Sequence, residues 1–110
     1  MSAGGNDRVR IGIVASHESS GAHLLGLATA AAARGWPCRC FLTDSGVKLA
    51  ADARLLELAK SGAIRLDVCE HSWHHFNEGS APEGATLGSQ FQNAQLVREC
   101  DRVVVLPGGA

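Results

Sequence analysis

Short apolar runs alternate with longer helix-like stretches along this chain, and this alternation predicts strands followed by helices. The apolar runs are rich in β-branched residues and too short for helices, which favours strands buried on both sides. Four such strands are predicted, at residues 8–15, 37–42, 64–69 and 102–106.

The segments between these strands predict helices. An Ala- and Leu-rich helix is expected from Ala22 to Arg34, because Gly35, a residue type that commonly follows a helix, comes next. A second helix is expected over residues 47–60 and a third over residues 89–99. Strands alternating with helices predict an α/β protein, with a three-layer α/β/α arrangement around an open, mainly parallel sheet of four to five strands.

One long polar stretch interrupts the pattern, at residues 70–88. It carries several glycines and Pro82, and it is predicted to be a loop. Loops of more than about 12–15 residues inside a compact domain are usually functional or mobile. The stretch is therefore the first place to look for a site.

Length and charge narrow the classes of function. The 110 residues, 45% apolar and 19% charged, predict one domain over residues 8–110 after a disordered Gly-rich start, residues 1–7. A net charge of −1 argues against a nucleic-acid partner. The longest apolar stretch, Leu24–Ala33, is too short to span a bilayer, and no secretion signal is recognisable. We therefore expect a cytoplasmic protein without a membrane partner.

The right-handed crossover rule places all the strand-to-helix connections at the carboxyl edge of the sheet, where open α/β sheets carry their chemistry. Cys69 ends the third predicted strand, and a polar run with His71, His74 and His75 follows it. The thiolate is the reactive form of cysteine, and a neighbouring cation lowers the thiol pKa. Cys69 is therefore the candidate reactive thiol, and His71 and His74 are the candidate side chains that stabilise its thiolate.

Two other interpretations of this stretch stay open. Cys69, His71 and His75 carry ligand atoms that zinc accepts, but their spacing matches no established zinc motif. Alternatively, Trp73 and Phe76 pack a solvated loop that has no chemical role. No metal and no cofactor is predicted.

The other three cysteines are expected to be structural. Cys38 and Cys40 point to the same face of the second predicted strand, as small buried residues. Cys100 precedes the fourth strand and is expected at the opposite, amino edge. Its neighbours Glu99 and Asp101 are acidic, and negative charges raise a thiol pKa.

The first two loops at the carboxyl edge are polar. Ser19 or Ser20 is expected to cap the first helix, and His17 is a weaker candidate for the pocket of Cys69. Asp44 and Ser45 are expected to form a turn and to cap the second helix.

Several segments, taken in order, resemble a known family. They are IGIVASHESSGAH in the first strand and loop, FLTDSGV in the second strand and turn, LDVC in the third strand, and AQLVRECDRVVVL at the end. Over residues 8–106 the chain resembles the DsrE/DsrF-like family, which includes TusD-type sulfur-relay proteins. One departure is His74-His75, where some members have an Arg-Gly step after the cysteine.

The resemblance implies a DsrE-like α/β/α domain that assembles into homo- or hetero-oligomers, such as trimers or hexamers. Family members carry sulfane sulfur as a persulfide on a cysteine, and Cys69 matches that residue. The expected function is therefore a cytoplasmic sulfur relay, with other sulfur-relay proteins as persulfide donor and acceptor. The alternative is a metal- or small-ligand-binding module, or an assembly subunit, of the same fold.

Overall fold

In a computed structural model, which describes residues 8–77 and 79–107, five parallel strands form one open sheet. They lie in the spatial order β4-β3-β2-β1-β5. The strands are β1 (Ile11–Ala15), β2 (Cys38–Leu42), β3 (Ile64–Cys69), β4 (Ala85–Gly88) and β5 (Arg102–Leu106). The expected α/β fold with a parallel sheet is confirmed. The predicted disordered start at residues 1–7 lies outside the described residues.

Helices follow each of the first four strands. They are α1 (Gly21–Ala33), α2 (Ala53–Lys60), α3 (Glu70–Phe76) and α4 (Gln90–Glu99). Two segments, Glu18–Ser20 and Asp44–Ala51, are 3-10 helices.

The strand order explains which helix covers which face. The connections from β1 to β4 all step in the same direction, so right-handed crossovers place α1, α2 and α3 on one face. The connection from β4 returns past β1 to β5, and it places α4 on the opposite face. The buried side chains divide accordingly into two groups. Members of the first group include Leu24, Leu55, Trp73, Ile13 and Cys40, and the second contains Val14, Phe41, Cys69 and Leu96.

The prediction of one long loop at residues 70–88 is wrong, because the segment contains both α3 and β4. An isolated seven-residue helix is unstable in water, so tertiary contacts must hold α3 in place. The buried Trp73 ring supplies one such contact, since its Nε1–H donates to the Gly79 carbonyl oxygen at 2.9 Å. Likewise, β4 has only four residues, and it becomes a strand by pairing with β3.

The second predicted helix is also two elements rather than one. The 3-10 segment Asp44–Ala51 comes first, and α2 begins only after Asp52. The Asp52 carboxylate accepts hydrogen bonds from the main-chain N–H groups of Arg54 and Leu55, at 2.8 and 3.1 Å. Asp52 is therefore the cap of this helix, and neither Asp44 nor Ser45 has that role.

Candidate thiol site at the carboxyl edge

Cys69 occupies the position that the sequence predicts, at the carboxyl end of β3. Its side chain points to the face covered by α4 and packs with Val14, Phe41 and Leu96. Only 6% of the residue is exposed. The site is therefore a mostly buried thiol beside the surface loops of the carboxyl edge.

Opposing influences act on the pKa of Cys69. Burial is the largest and raises the pKa, because the charged thiolate loses its water. The main-chain N–H and the hydroxyl of Ser72, the hydroxyl of Thr43 and the main-chain N–H of His71 all lower it. The lowering contributions together exceed the burial effect, and the pKa lies below its ordinary value. The thiolate is thus stabilised mainly by neutral donors.

The local chain path explains why these donors meet at the sulfur. Cys69 is the N-cap residue of α3, so the first N–H groups of the helix point towards it. None of them makes a helix-capping hydrogen bond to the sulfur. They act as favourable dipoles beside it, an arrangement known to lower cysteine pKa values.

Ser72 is oriented by the neighbouring loop. Its Oγ accepts a hydrogen bond from the main-chain N–H of Asp44 at 3.0 Å, and the side chain is buried. Because that N–H occupies a lone pair of the oxygen, the hydroxyl proton remains available for the Cys69 sulfur. Asp44 itself has a positive φ of 49°, a conformation that non-glycine residues seldom adopt. The loop is therefore held in an unusual shape where it supports Ser72.

The end of β1 fixes this loop. The Thr43 N–H donates to the Ala15 carbonyl at 3.0 Å, and Ser45 Oγ accepts from the Glu18 N–H at 3.1 Å. Gly46 lies so close to Ala15 that an added Cβ would collide with the Ala15 carbonyl oxygen. Loops from three neighbouring strands thus meet around Cys69.

The side chains of His71, His74 and His75 are all exposed on α3. His74 Nε2 lies 3.7 Å from a carboxylate oxygen of Glu70, and the His75 ring packs edge-on against Phe76 at 4.7 Å between centroids. His71 acts on Cys69 through its main-chain N–H. Across residues 8–77 and 79–107, no three His, Cys, Asp or Glu side chains are grouped to hold a metal ion.

His17 has a local structural contact. Its Nδ1 accepts the main-chain N–H of Ser19 at 3.0 Å and caps the 3-10 segment before α1. Ser20 occupies the N-cap position of α1 but makes no side-chain capping hydrogen bond. Ser20 therefore holds the predicted N-cap position, but its hydroxyl does not make the predicted capping hydrogen bond. The side-chain cap is instead made by His17, at the start of the 3-10 segment that precedes α1.

The remaining cysteines lie where the strand pattern places them. Cys38 and Cys40 are buried on the α1 and α2 side of the sheet, with their sulfur atoms 3.9 Å apart. Cys100 lies at the amino edge, beside Arg10 and Cys38. The pKa of Cys100 is raised, chiefly by burial, and the predicted contribution of Glu99 is a smaller one.

Ser72 and Thr43 are the two side chains at the site that the sequence analysis did not single out. Thr43 directly follows β2, which is the neighbour of β3 in the sheet. Ser72 is the third residue of α3, and a side chain there often interacts with the N-cap residue. Both positions become recognisable once the helix is known to start directly after Cys69.

Comparisons with known proteins identify the fold. No protein-family model matches the sequence, and no curated protein is significantly similar to it. The crystal structure of the YchN protein from E. coli, a DsrE/DsrF-like fold, superposes with a TM-score of 0.68 at 18% sequence identity. The match covers 89% of this chain and 99% of that one. The chain therefore has the YchN fold. Within the described residues, no helix is both long and apolar enough to cross a membrane.

Proposed function

We propose that this protein is a cytoplasmic sulfur carrier of the DsrE/DsrF-like family, which holds sulfane sulfur as a persulfide on Cys69. The supporting observation is the lowered pKa of a thiol at the carboxyl end of β3, with donors of Ser72 and Thr43 directed at its sulfur. Sulfur transfer requires a thiolate nucleophile, and these donors increase the thiolate fraction at neutral pH.

The proposed transfer proceeds in two steps. In the first, the Cys69 thiolate attacks the outer sulfur of a donor persulfide; a new S–S bond forms, the donor S–S bond breaks, and the donor leaves as a thiolate. In the second, the thiolate of an acceptor protein attacks the outer sulfur on Cys69 and regenerates the Cys69 thiolate. Both partners are other sulfur-relay proteins in this proposal.

The donors around Cys69 also favour the loaded state. A persulfide is deprotonated more readily than a thiol, and its charge is spread over the added sulfur. Neutral donors such as the Ser72 hydroxyl and N–H stabilise an anion without themselves needing to titrate. The roles of His71 and His74 as stabilising residues stay a prediction, and both residues are exposed on α3.

The proposal includes assembly into an oligomer. Gln95 and Val97 lie on opposite sides of α4, because successive helix positions turn by about 100°. The Gln95 amide oxygen accepts a hydrogen bond from Arg39 of β2. Val97 therefore lies on the other side of the helix, towards the edge strand β5. Val97, Val103 and Val105 are all exposed, the last of them by 61%. An apolar surface beside an edge strand favours contact with another chain.

Intact-mass measurement after exposure to a persulfide donor tests the carrier function. Wild-type protein should gain sulfur that a reductant removes, and Cys69→Ser should gain none. Cys100→Ser is the matched control, since it removes a thiol at the other edge of the sheet and should load like wild type. Loading of Cys69→Ser to the wild-type level contradicts the proposal.

Assembly has a separate measurement. Native mass spectrometry of wild-type protein should show an oligomer, and Val105→Glu should shift it towards the monomer, because a charge cannot be buried there without a partner. A wild-type monomer at all concentrations, with or without candidate partners, contradicts this part of the proposal only.

A further inference from the structure

A cleft of about 220 Å³ lies at the amino edge of the sheet, at the opposite end of the strands from Cys69. The charged residues that line it are Arg10, Arg39, Arg65 and Glu99. The proposed sulfur carrier uses none of these groups. Three arginines around one cleft therefore need a chemical interpretation of their own.

Arg39 and Arg65 lie side by side on the face of the sheet covered by α4. They are partners in register on β2 and β3, so their side chains leave the sheet in the same direction. Arg39 donates to the Gln95 amide oxygen at 2.7 Å and to a Glu99 oxygen at 3.1 Å, both on α4. The buried Asp67 carboxylate lies 3.4 Å from Arg39 and 3.1 Å from Arg65, and it offsets the repulsion between the two guanidinium groups.

The two exposed arginines of the cleft are each oriented through one nitrogen atom. The Nε of Arg65 lies 3.1 Å from Asp67, and the Nε of Arg10 lies 3.6 Å from Asp101. The described residues that line the cleft include neither of these aspartates. Across residues 8–77 and 79–107, the terminal nitrogens of Arg10 and Arg65 make no hydrogen bond. Each guanidinium group therefore keeps free the fork of nitrogens that binds oxyanions.

Cys100 lies in the same cleft and on the same face as these arginines. A Cβ added to Gly12 would lie 3.1 Å from the Cys100 sulfur, and Gly12 is the partner of Arg39 in register on β1. Burial is the largest influence on the pKa of Cys100 and raises it, whereas the positive charges of Arg39 and Arg10 lower it. The sulfur is therefore a natural reporter of charge in the cleft.

We propose that the amino-edge cleft binds a small tetrahedral oxyanion with two negative charges, of the sulfate or phosphate class, between Arg10 and Arg65. A carboxylate has two oxygens in one plane and satisfies one guanidinium fork, whereas a tetrahedral oxyanion offers oxygens to two forks at once. The cleft is smaller than the pockets of about 300–1,000 Å³ that take drug-sized ligands, so it suits a small ion. Glu99 is the one carboxylate among the described lining residues, and it is engaged with Arg39.

Alkylation of Cys100 by N-ethylmaleimide, a small neutral reagent, reports whether the cleft is occupied. Peptide-resolved rates are measured on wild-type protein in sodium sulfate, sodium chloride and sodium acetate of equal ionic strength, so that screening is the same. Sulfate should slow the reaction of Cys100 about ten-fold relative to chloride, because the bound dianion blocks the cleft and cancels the positive field at the thiol. Acetate should slow it by less than about two-fold, because it satisfies only one fork.

Three variants assign the effect to the cleft. Arg65→Met and Arg10→Gln should each remove most of the protection by sulfate, because each removes one fork. Arg54→Met is the matched control, since Arg54 is a 78% exposed arginine 3.7 Å from the Asp52 carboxylate and lies outside the cleft. It should be protected like wild type. Each variant is judged by the ratio of its rates in sulfate and chloride, so a change in its basal rate cancels.

Cys69 supplies the internal control in every sample. Its alkylation rate should be the same in sulfate and chloride, and an unchanged rate in each variant shows that the fold is intact. Sulfate also strengthens folding in general, so equal slowing of Cys69 and Cys100 overturns the proposal. Equal rates of Cys100 in sulfate and chloride, equal protection by acetate, or full protection in Arg65→Met or Arg10→Gln overturns it as well. Persulfide loading of Cys69 is not measured, so this test is independent of the proposed function.

Discussion

At the carboxyl edge, the Cys69 sulfur faces main-chain N–H groups and two hydroxyls, whereas near the amino edge the Cys38 sulfur lies 3.9 Å from that of Cys40, on the face covered by α1 and α2. Both thiols have a lowered pKa, for different physical reasons. The two thiols should therefore respond to different substitutions, Cys69 to changes in the loops around it and Cys38 to changes at Cys40.

Stability and reactivity depend on different regions of the protein. On the face of the sheet covered by α4, the buried Arg39–Asp67 pair ties β2 to β3. The carboxyl edge depends on loops held by main-chain hydrogen bonds, by the Ser45 and Ser72 hydroxyls and by one close glycine approach. Substitutions in the buried pair should therefore affect folding most, and those at the carboxyl edge should affect Cys69 most.

The largest effect is expected from Asp67→Ala. Removing this carboxylate leaves the Arg39 guanidinium buried with only Glu99 and Gln95, and breaking a buried ion pair costs about 3–5 kcal/mol. We expect a loss near about 3 kcal/mol in the free energy of unfolding, because two of the Arg39 contacts persist. Urea unfolding measures it.

Arg65→Met is the matched control for that measurement, since Arg65 pairs with the same carboxylate from a half-exposed position. Its loss should stay below about 1 kcal/mol. Equal losses for the two variants would mean that burial does not distinguish them, and that the stability of the sheet does not depend on the buried pair.

Gly46→Ala should have the next largest effect. The new Cβ would collide with the Ala15 carbonyl oxygen, and a main-chain atom cannot rotate away, so we expect a loss of about 2 kcal/mol, typical of overpacking. Cys69 should also react more slowly with an alkylating reagent, because the loop carrying Thr43 must shift. Thermal unfolding and an alkylation rate check both parts.

Gly26→Ala provides the contrast for Gly46→Ala. Gly26 lies within α1, and a Cβ added there meets nothing within 4 Å. Because alanine favours helices over glycine by about 1 kcal/mol, this variant should be slightly more stable than wild type and should alkylate normally. If both variants were destabilised, the effect of Gly46→Ala could not be attributed to the close approach of Gly46 to Ala15.

Ser72→Ala should lower the reactivity of Cys69 with little effect on Cys38. Losing a hydroxyl donor raises the pKa of Cys69, so the thiolate fraction at neutral pH falls and the alkylation profile moves to higher pH. Hydrogen bonds to charged groups contribute about 1.5 kcal/mol, which corresponds to a rate reduction of up to about ten-fold. Peptide-resolved alkylation across pH values measures both cysteines in one sample.

Ser80→Ala, at an exposed loop position, is the control, and it should leave the Cys69 profile in place. A profile for Ser72→Ala that coincides with wild type would mean that the helix N–H groups alone stabilise the thiolate.

The smallest effect is expected from His71→Gln and His74→Gln. Both rings are exposed, and His74 makes one surface contact with Glu70, so each change should alter the Cys69 alkylation rate by less than about two-fold. An effect as large as that of Ser72→Ala would instead establish the imidazoles as thiolate-stabilising groups, as the sequence pattern predicts. The same rate assay decides between them.

The position of Cys69 follows from the sequence for a simple reason. The strand Ile64–Cys69 is specified by its own apolar residues, and the edge at which it ends follows from the handedness of the crossovers. The same reasoning placed Cys100 at the opposite edge and paired Cys38 with Cys40 on one face. These inferences use only the alternation of side chains along a strand, which is local, and the right-handedness of crossovers, which is a general rule.

The inferences that failed depended on contacts between distant segments. Residues 85–88 lack a strong strand pattern, and they form β4 only because β3 offers an open edge. In the second predicted helix, the sequence offers two residues that could cap the start, Asp44 and Asp52, and only one 3-10 segment separates them. Sequence periodicity does not decide between such alternatives.

The sequence by itself determined four of the five strands, their parallel arrangement and the edge at which Cys69 lies, because these follow from apolar periodicity and the right-handed crossover. Only the tertiary structure decided which groups surround the sulfur. The Asp44 N–H that orients Ser72 comes from a loop 28 residues earlier in the chain, and the nearby imidazoles point to solvent. Neighbours in sequence share a backbone, but an α-helix that starts at Cys69 turns its side chains to different sides, so proximity along the chain could not predict contact with the thiol.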